Sequence, residues 1–309
     1  MGEISRRKFL KLGVHLAAAM GISSTLIPEI AEALEQIASK TAPVVWLQGL
    51  SCSGCSVSFL NSEDPGPAEL LTQYISLLFH SNISAATGPM CLDLIDRACE
   101  KGDFFLAIEG GIPLGIPQAC RMGEKSMGEI MIDAAKKAKA VIAVGTCASF
   151  GGIPAAENNP TGAVSVPVLF NKNRITTPTI CLPGCPVHPD WLIGTLVHVL
   201  KFGLPPLDDQ RRPEIFYSKV IHDQCPRFPD YERERFAGSF AEEGCLFKLG
   251  CVGALTHADC TVRQWNSGIN SCIRAGAPCI GCASERFASK ADYAMFPRNI
   301  QLADERTAK

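Results

Sequence analysis

The sequence has no excess of basic residues. Its 29 Lys and Arg residues are balanced by 31 Asp and Glu residues, which gives a formal net charge of −2. Because a nucleic-acid-binding surface needs clustered positive charge to neutralise phosphates, this balance argues against a nucleic-acid partner. Charged residues make up only 19% of the chain and apolar residues 47%. Such a composition provides for large buried cores and argues against disorder.

Long apolar runs are also missing beyond the N-terminal region. After the first forty residues, no uninterrupted apolar stretch reaches the roughly 18 residues that mark a transmembrane helix. We therefore expect no transmembrane helix in the mature protein.

Cysteine is abundant, yet below the level of a disulfide scaffold. The 15 cysteines are roughly 5% of the 309 residues, whereas small disulfide-rich proteins have ~8–10% or more. The number is odd, so disulfides within the chain cannot pair all of them. Another use of the thiols is therefore indicated.

The N-terminus has the features of an export signal. Arg6 and Arg7 precede an apolar stretch at residues 12–27, and the Ala-Glu-Ala segment at 31–33 is a small-x-small cleavage site. These features in this order predict a twin-arginine signal peptide over residues 1–33, and therefore a periplasmic protein. Because this route exports folded proteins, often with a cofactor already bound, the cysteines point to metal clusters rather than to disulfides.

Short apolar runs alternate with helical patterns over residues 43–204. We predict strands at 43–48, 104–108, 140–145 and 177–182, and helices at 68–79, 124–139 and 190–201. This alternation indicates an α/β domain with a doubly wound parallel sheet. Beyond residue 204 the periodicity fades and proline and charged residues become more frequent. We therefore predict a smaller, loop-rich second domain over residues 205–309.

Four cysteines follow three of the predicted strands. Cys52 and Cys55 come after the first strand, Cys147 after the third and Cys185 after the fourth. Since ligands in open α/β sheets bind outside the carboxyl ends of the strands, these thiols are expected to converge. Four thiolates are the ligand set of a [4Fe-4S] cluster. A thioredoxin-like Cys-x-x-Cys pair is the alternative, but it leaves Cys147 and Cys185 unexplained.

The loop-rich region carries eight further candidate ligands in two groups of four. The groups are His222, Cys225, Cys245 and Cys251, followed by Cys260, Cys272, Cys279 and Cys282. Each group suits either zinc or an iron–sulfur cluster. Zinc would staple a region poor in regular structure, but it would not explain the export of a chain with three sites. The other histidines lack a ligand-rich setting and are expected to be structural.

Seven segments, in this order, resemble the small, electron-transferring subunit of periplasmic [NiFe] hydrogenases. They are residues 46–56 (WLQGLSCSGCS), 108–111 (IEGG), 145–152 (GTCASFGG), 183–186 (PGCP), 222–226 (HDQCP), 249–251 (LGC) and 278–282 (PCIGC). The resemblance extends from about residue 43 to residue 282. It implies a flavodoxin-like first domain and the reaction H₂ ⇌ 2H⁺ + 2e⁻. The nickel–iron centre, with or without selenium, would lie in a separate large subunit.

By resemblance, the chain holds three iron–sulfur clusters. The proximal cluster would use Cys52, Cys55, Cys147 and Cys185, the distal cluster His222, Cys225, Cys245 and Cys251, and the medial cluster Cys260, Cys279 and Cys282. Many family members have proline in place of Cys272 and hold a [3Fe-4S] centre there. Cys272 therefore predicts a fourth ligand and three [4Fe-4S] clusters, as in the selenium-containing branch. The distal cluster would deliver electrons to a periplasmic c-type cytochrome or a membrane acceptor.

Several residues depart from the family pattern or stay without a role. Gly54 and Gly152 stand where oxygen-tolerant members carry additional cysteines, so we predict an ordinary, oxygen-sensitive proximal cluster. Residues 283–309 are polar and lack the anchoring helix of membrane-bound members. For Glu109, a role in cluster electrostatics and a structural or capping role both stay open. The unassigned cysteines, expected to be buried free thiols, are Cys91, Cys99, Cys120 and Cys181.

Two other classes of protein stay open at this stage. An iron–sulfur subunit of a respiratory complex without hydrogenase activity would resemble only the first domain. An exported protein stapled by zinc or disulfides would be colourless, whereas iron–sulfur clusters would make the protein brown.

Overall fold

The computed structural model of the protein describes residues 42–63, 65–156 and 158–288. The predicted signal peptide and the end of the polar tail lie outside these residues. Within them, no helix combines the length and the apolar character needed to cross a membrane.

A parallel five-stranded sheet forms the centre of the first two hundred residues. Its strands are β1 (Ala42–Gln48), β2 (Ile75–His80), β3 (Phe105–Glu109), β4 (Ala140–Val144) and β5 (Thr179–Leu182). The strand order is β2-β1-β3-β4-β5, and every neighbouring pair is parallel. This is the order of the flavodoxin-like doubly wound fold, so the predicted fold class is confirmed.

Helices cover both faces of this sheet. They are α1 (Gly54–Leu60), α2 (Pro89–Lys101), α3 (Met127–Ala135), α4 (Gly145–Phe150), α5 (Val166–Lys172) and α6 (Pro189–Phe202). Side chains of α1 and α6 pack with one set of strand residues, and those of α2, α3 and α5 pack with the alternating set. β3 and β4 are buried along their whole length because they lie inside a sheet covered on both faces.

The helix predicted at residues 68–79 is wrong over its second half. Pro67–Glu69 forms a single helical turn and Leu70–Tyr74 a π-helical turn, but Ile75–His80 is the edge strand β2. Pairing with β1 satisfies the backbone of this segment. It also buries Ile75 in one core and Phe79 in the other. Tertiary pairing therefore overrides the local helical pattern.

The helix predicted at residues 124–139 begins later and ends earlier. Residues Arg121–Met122 and Lys125–Ser126 pair as a short antiparallel ribbon ahead of α3. Ser126 then caps the helix: its hydroxyl accepts from the Glu129 N–H at 3.3 Å, and the Glu129 carboxylate accepts from the Ser126 N–H at 2.8 Å. This capping box fixes the start of α3 at Met127.

Residues beyond α6 form few regular elements, as predicted. Short helices occur at Glu214–Tyr217, Phe228–Glu232 and Cys260–Arg263, with 3₁₀ turns at His222–Gln224, Phe247–Leu249 and Gly253–Leu255.

In the first part, Ile112–Pro113 pairs with Ala163–Val164, and 3₁₀ turns lie at Pro117–Ala119 and Ile153–Ala155.

The loop-rich region packs directly against the edge of the sheet. The Cys181 N–H of β5 donates to the Arg211 carbonyl at 2.8 Å, and the Tyr217 hydroxyl donates to the Pro183 carbonyl at 2.8 Å. One hydrophobic core contains side chains from both parts of the chain. The domain boundary near residue 204 therefore stays a prediction.

Candidate metal centres

The first set of cysteines lies at the carboxyl end of the sheet. Cys52 and Cys55 follow β1, with Cys55 in the first turn of α1. Cys147 lies in α4, directly after β4, and Cys185 follows β5. The structure thus brings these four residues together at one edge, where the sequence predicted them.

The thiols of this set lie close enough to affect one another's ionisation. Burial raises the pKa of Cys55 well above its ordinary value of 9.0, and the charges of Glu109, Cys147 and Cys185 add to the rise. Burial also raises the pKa of Cys147 to about 11, with further contributions from Cys185 and Cys52. Mutual charge repulsion of this kind requires a close group of thiols.

Glycine allows the backbone to approach this set. A Cβ atom on Gly145 would lie 2.5 Å from the Cys55 Sγ, and one on Gly152 would lie 2.9 Å from the Cys147 backbone. Both glycines also have a positive φ, which disfavours any side chain. The position of Gly152 is therefore closed to an additional thiol unless the loop changes shape.

A buried carboxylate holds the loop that carries Cys52 and Cys55. Glu109, at the end of β3, is 2% exposed. One oxygen accepts from the Ser51 hydroxyl at 2.9 Å and the Cys55 N–H at 3.2 Å, and the other accepts from the Ser56 hydroxyl at 2.5 Å. Further donors to the same carboxylate are Trp46 Nε1, Gln48 Nε2 and the Ser56 N–H. These contacts support the structural and capping role of Glu109, and its charge also raises the pKa of Cys55 and Cys147, so both roles considered for it have support.

The second set surrounds one small cavity. His222, Cys225, Cys245 and Cys251 all line it, together with apolar residues such as Ile221 and Leu246. Burial raises the pKa of Cys225, and Cys251 and Cys245 add to the rise. The Arg227 N–H donates to the Cys225 thiol at 3.4 Å.

The third set combines buried thiols with an exposed one. Burial raises the pKa of Cys260 well above its ordinary value, and the nearby Cys282, Cys279 and Cys272 contribute. Cys272 is the exposed member. The structure therefore places Cys272 with the three cysteines that the family resemblance assigns to the medial cluster.

The three sets form a series, with the third set between the other two. Burial raises the pKa of Cys282 of the third set to about 11, and the nearby backbone of Cys185 of the first set opposes that rise. Burial raises the pKa of Cys279 of the third set, with a further contribution from Cys251 of the second set. The spatial order of the sets thus differs from their order along the chain.

The chemistry of the donors fits iron–sulfur clusters. In the described part of the chain, no three His, Cys, Asp or Glu side chains are placed to share a single metal ion. A [4Fe-4S] cluster needs a wider arrangement, because each of its four ligands binds a different iron. Backbone N–H groups that donate to the sulfurs, as at Cys225 and Cys279, are contacts that tune such clusters.

The other histidines in the described part of the chain have structural contacts, as expected. His188 faces the Gln264 carbonyl at 2.7 Å. His198 faces the Gly203 carbonyl at 3.1 Å, and His257 faces the Tyr217 carbonyl at 3.0 Å. His80 faces the Ser56 hydroxyl through Nε2 at 3.1 Å, and its Nδ1 accepts from the Asn82 N–H at 3.0 Å. His15 lies outside the described residues.

No disulfide joins any of the 15 cysteines. Of the four unassigned cysteines, Cys181 is buried, as expected, whereas Cys91, Cys99 and Cys120 are only half-buried. Cys91 and Cys99 both lie on α2, and burial raises the pKa of Cys181 to about 12.

Thr146 is a residue that the sequence analysis missed. Its hydroxyl lies between the first and third sets, where it donates to the Cys282 carbonyl and accepts from the Gly184 N–H at 2.8 Å. A bond between residues 136 positions apart has no local signal, because it depends on how the loop-rich region packs on the sheet.

Comparison with known families gives matches to both parts of the chain. The C-terminal family of NiFe/NiFeSe hydrogenase small subunits matches residues 217–295. The NADH ubiquinone oxidoreductase 20 kDa subunit family matches residues 52–199.

Individual proteins are similar over almost the whole chain. The periplasmic [NiFeSe] hydrogenase small subunit of Desulfomicrobium baculatum is 44% identical, over 92% of this chain and 96% of the relative. The periplasmic [NiFe] hydrogenase small subunit of Solidesulfovibrio fructosivorans is 38% identical, over 92% and 90%.

Solved structures agree with these relatives. A chain of the H₂-activated [NiFeSe] hydrogenase of D. baculatum has a TM-score of 0.79 and 43% identity, covering 82% of this chain and 99% of that chain. For the recombinant [NiFeSe] hydrogenase of Desulfovibrio vulgaris Hildenborough the TM-score is 0.77 and the identity 40%, with coverage of 81% and 96%.

We expect the burial of His80 to weaken the fold in acid. Burial lowers the pKa of His80 from its ordinary value of 6.5, although the charge of Glu109 opposes the shift. The unfolded chain therefore binds a proton at His80 at a pH where the folded chain does not. The free energy of unfolding should fall as the pH drops below 6.5.

Thermal unfolding on both sides of this pH measures the effect. The midpoint temperature of unfolding should fall more steeply with acidification in the wild-type protein than in His80→Gln. The glutamine amide keeps a hydrogen-bond donor for the Ser56 hydroxyl. His198→Gln, on α6, is the control and should keep the wild-type slope. Equal slopes for the wild type and His80→Gln would contradict the assignment.

Proposed function

The chain belongs to the family of NiFe and NiFeSe hydrogenase small subunits, and we propose that it conducts electrons through three [4Fe-4S] clusters. It is thus a subunit of an oxidoreductase that acts on H₂. Its family implies a large-subunit partner that carries the NiFe(Se) site. The reaction H₂ ⇌ 2H⁺ + 2e⁻ belongs to that partner, and we assign no catalytic residue to this chain.

The observation that carries the proposal is the series of three four-membered donor sets. We propose that the first set, Cys52, Cys55, Cys147 and Cys185, holds the proximal cluster. The third set, Cys260, Cys272, Cys279 and Cys282, would hold the medial cluster, and the second set, His222, Cys225, Cys245 and Cys251, the distal cluster. A [4Fe-4S] cluster, when bound, takes up and releases one electron at a time. Three such groups in a row suit conduction.

The protein's own groups prepare these sites for negatively charged sulfur. The Gly54 N–H donates to the Cys52 thiol at 3.4 Å, the Val187 N–H to Cys55 at 3.5 Å and the Gly281 N–H to Cys279 at 3.4 Å. Apolar residues such as Leu246 line the cavity that the second set surrounds. Hydrogen bonds to sulfur and exclusion of water are the means by which proteins tune cluster potentials.

We propose that electrons leave the protein near His222. The centroid of its imidazole ring lies 4.6 Å from the ring centroid of Tyr231 and 5.0 Å from that of Phe228. Tyr231 is 38% exposed and its neighbour Phe247 is 50% exposed, so this set lies beneath an aromatic surface. A neutral imidazole leaves its cluster less negative than a fourth thiolate would, which suits an exit site. The proposed acceptor is a periplasmic c-type cytochrome, and twin-arginine export is the proposed route to the periplasm.

We expect His222→Ala to separate conduction from H₂ chemistry. H₂-dependent reduction of a c-type cytochrome by the purified complex should fall strongly, because the exit site is damaged. Hydrogen–deuterium exchange of H₂ gas should persist, because it needs only the partner's site. His198→Ala is the control and should preserve both activities. Unchanged cytochrome reduction in His222→Ala would contradict the proposed exit.

A second substitution tests the fourth medial ligand. Cys272→Ser should lower the iron content of the anaerobically purified complex by about one iron per chain, because the site would then hold a [3Fe-4S] centre. The matched control is Cys99→Ser, on α2, which should keep the wild-type content. Iron and acid-labile sulfide analysis, with EPR of the oxidised protein, measures the change. Because a serine oxygen can also bind iron, Cys272→Ala is analysed beside it, and an unchanged iron content in Cys272→Ala would show that Cys272 is not a ligand.

A further inference from the structure

We propose that the Thr146 hydroxyl is a positioning group that ties the proximal ligand set to the medial ligand set and so fixes the coupling between the two clusters. The proposal rests on the ligand assignments of the proposed function. It adds a role for a residue that is itself not a ligand.

One hydroxyl joins three segments that each carry a proposed ligand. Thr146 lies in α4 next to Cys147 and is 1% exposed. Its Oγ1 donates to the carbonyl of Cys282 and accepts from the N–H of Gly184 at 2.8 Å. Gly184 directly precedes Cys185. A threonine hydroxyl has one proton and can also accept, so this arrangement uses its donor and an acceptor site.

A backbone hydrogen bond also joins two of the segments that the Thr146 hydroxyl connects. The Thr146 N–H donates to the Gly184 carbonyl at 3.0 Å. Among the contacts that connect Thr146, Gly184 and Cys282, those of the Thr146 hydroxyl can be removed by a substitution that leaves every proposed ligand in place.

The surroundings leave the junction little freedom. A Cβ atom on Gly145 would lie 2.5 Å from the Cys55 Sγ, and one on Gly184 would lie 2.7 Å from the Pro186 carbonyl oxygen. Without the hydroxyl, the buried Gly184 N–H and the partly buried Cys282 carbonyl would both lose a partner. Such unpaired groups are costly, so the two ligand segments would separate to reach other partners.

The functional consequence concerns a one-electron transfer. With clusters bound at both sites, a single electron would pass from one cluster to the other, and no proton would need to move with it. Tunnelling falls off steeply with distance and with the loss of bonded contact. The Thr146 hydroxyl holds the Cys282 carbonyl against the loop that carries the proximal ligands. It therefore sets the electronic coupling between the two clusters. One such hydrogen bond changes the population of the tied geometry by roughly two- to tenfold.

The test compares three variants in the assembled holoenzyme. Thr146→Val removes the hydroxyl with little change of shape, Thr146→Ser keeps it, and Ser149→Ala is the matched control. Ser149 is a buried residue of the same helix, and its hydroxyl donates to the Ala143 carbonyl at 3.2 Å, away from the medial segment. The measurements are iron per chain, the EPR spin–spin splitting between neighbouring clusters in the H₂-reduced enzyme, and the rate of electron delivery to the acceptor.

We expect Thr146→Val to keep the full iron content but to lose or change the spin–spin splitting and to deliver electrons more slowly. Thr146→Ser and Ser149→Ala should match the wild type. A wild-type splitting and rate in Thr146→Val would overturn the proposal. A wild-type complex without iron would instead overturn the proposed function, and this inference with it.

A measurement on the wild type covers the case in which Thr146→Val does not assemble. The Gly184 amide should then be among the slowest of the protein to exchange with deuterium in the native holoenzyme, because its acceptor is a buried hydroxyl held on both sides. Fast exchange of this amide would overturn the proposal.

Discussion

The structure depends on the parallel arrangement of β1, β4 and β5, whose carboxyl ends meet at one edge of the sheet. Because each strand is followed there by a cysteine-bearing loop, Cys52 and Cys185 become neighbours although they are 133 positions apart in the sequence. Glu109, at the end of β3, holds the first of these loops through hydrogen bonds from Ser51, Cys55 and Ser56. The loop-rich region then packs against the same edge, which brings Cys282 next to Cys185. A regular sheet thus positions donors that irregular loops carry.

The loop-rich region contains little secondary structure that would hold it together by itself. Its helices are four or five residues long, and its donor sets are spread over some sixty residues between His222 and Cys282. In the proposed holoprotein, the bound clusters crosslink these loops. Metal binding then contributes directly to the folding free energy of this region, as in other small metal-stapled domains. Conduction and stability would therefore depend on the same eight residues.

Much of the first part could be predicted from sequence, because its strands are continuous apolar runs such as residues 140–144 and because cysteines follow them. The edge strand at Ile75–His80 could not, since its local pattern suits a helix and only pairing with β1 makes it a strand. The sequence pattern, through position after the strands and order along the loops, also grouped the twelve donors into three sets of four. It could not give the spatial order of the sets, which depends on contacts such as Cys185 with Cys282 and Cys251 with Cys279. The Thr146 link escaped prediction for the same reason.

The most direct test of the account is a metal analysis of the native complex, purified without oxygen through this chain. Three [4Fe-4S] clusters predict about 12 irons and about 12 acid-labile sulfides from this chain. A co-purifying large subunit should add about one nickel and one further iron, the metals of its NiFe(Se) site. Zinc in place of iron, or no metal at all, would contradict electron conduction and would return the twelve donors to a purely structural role.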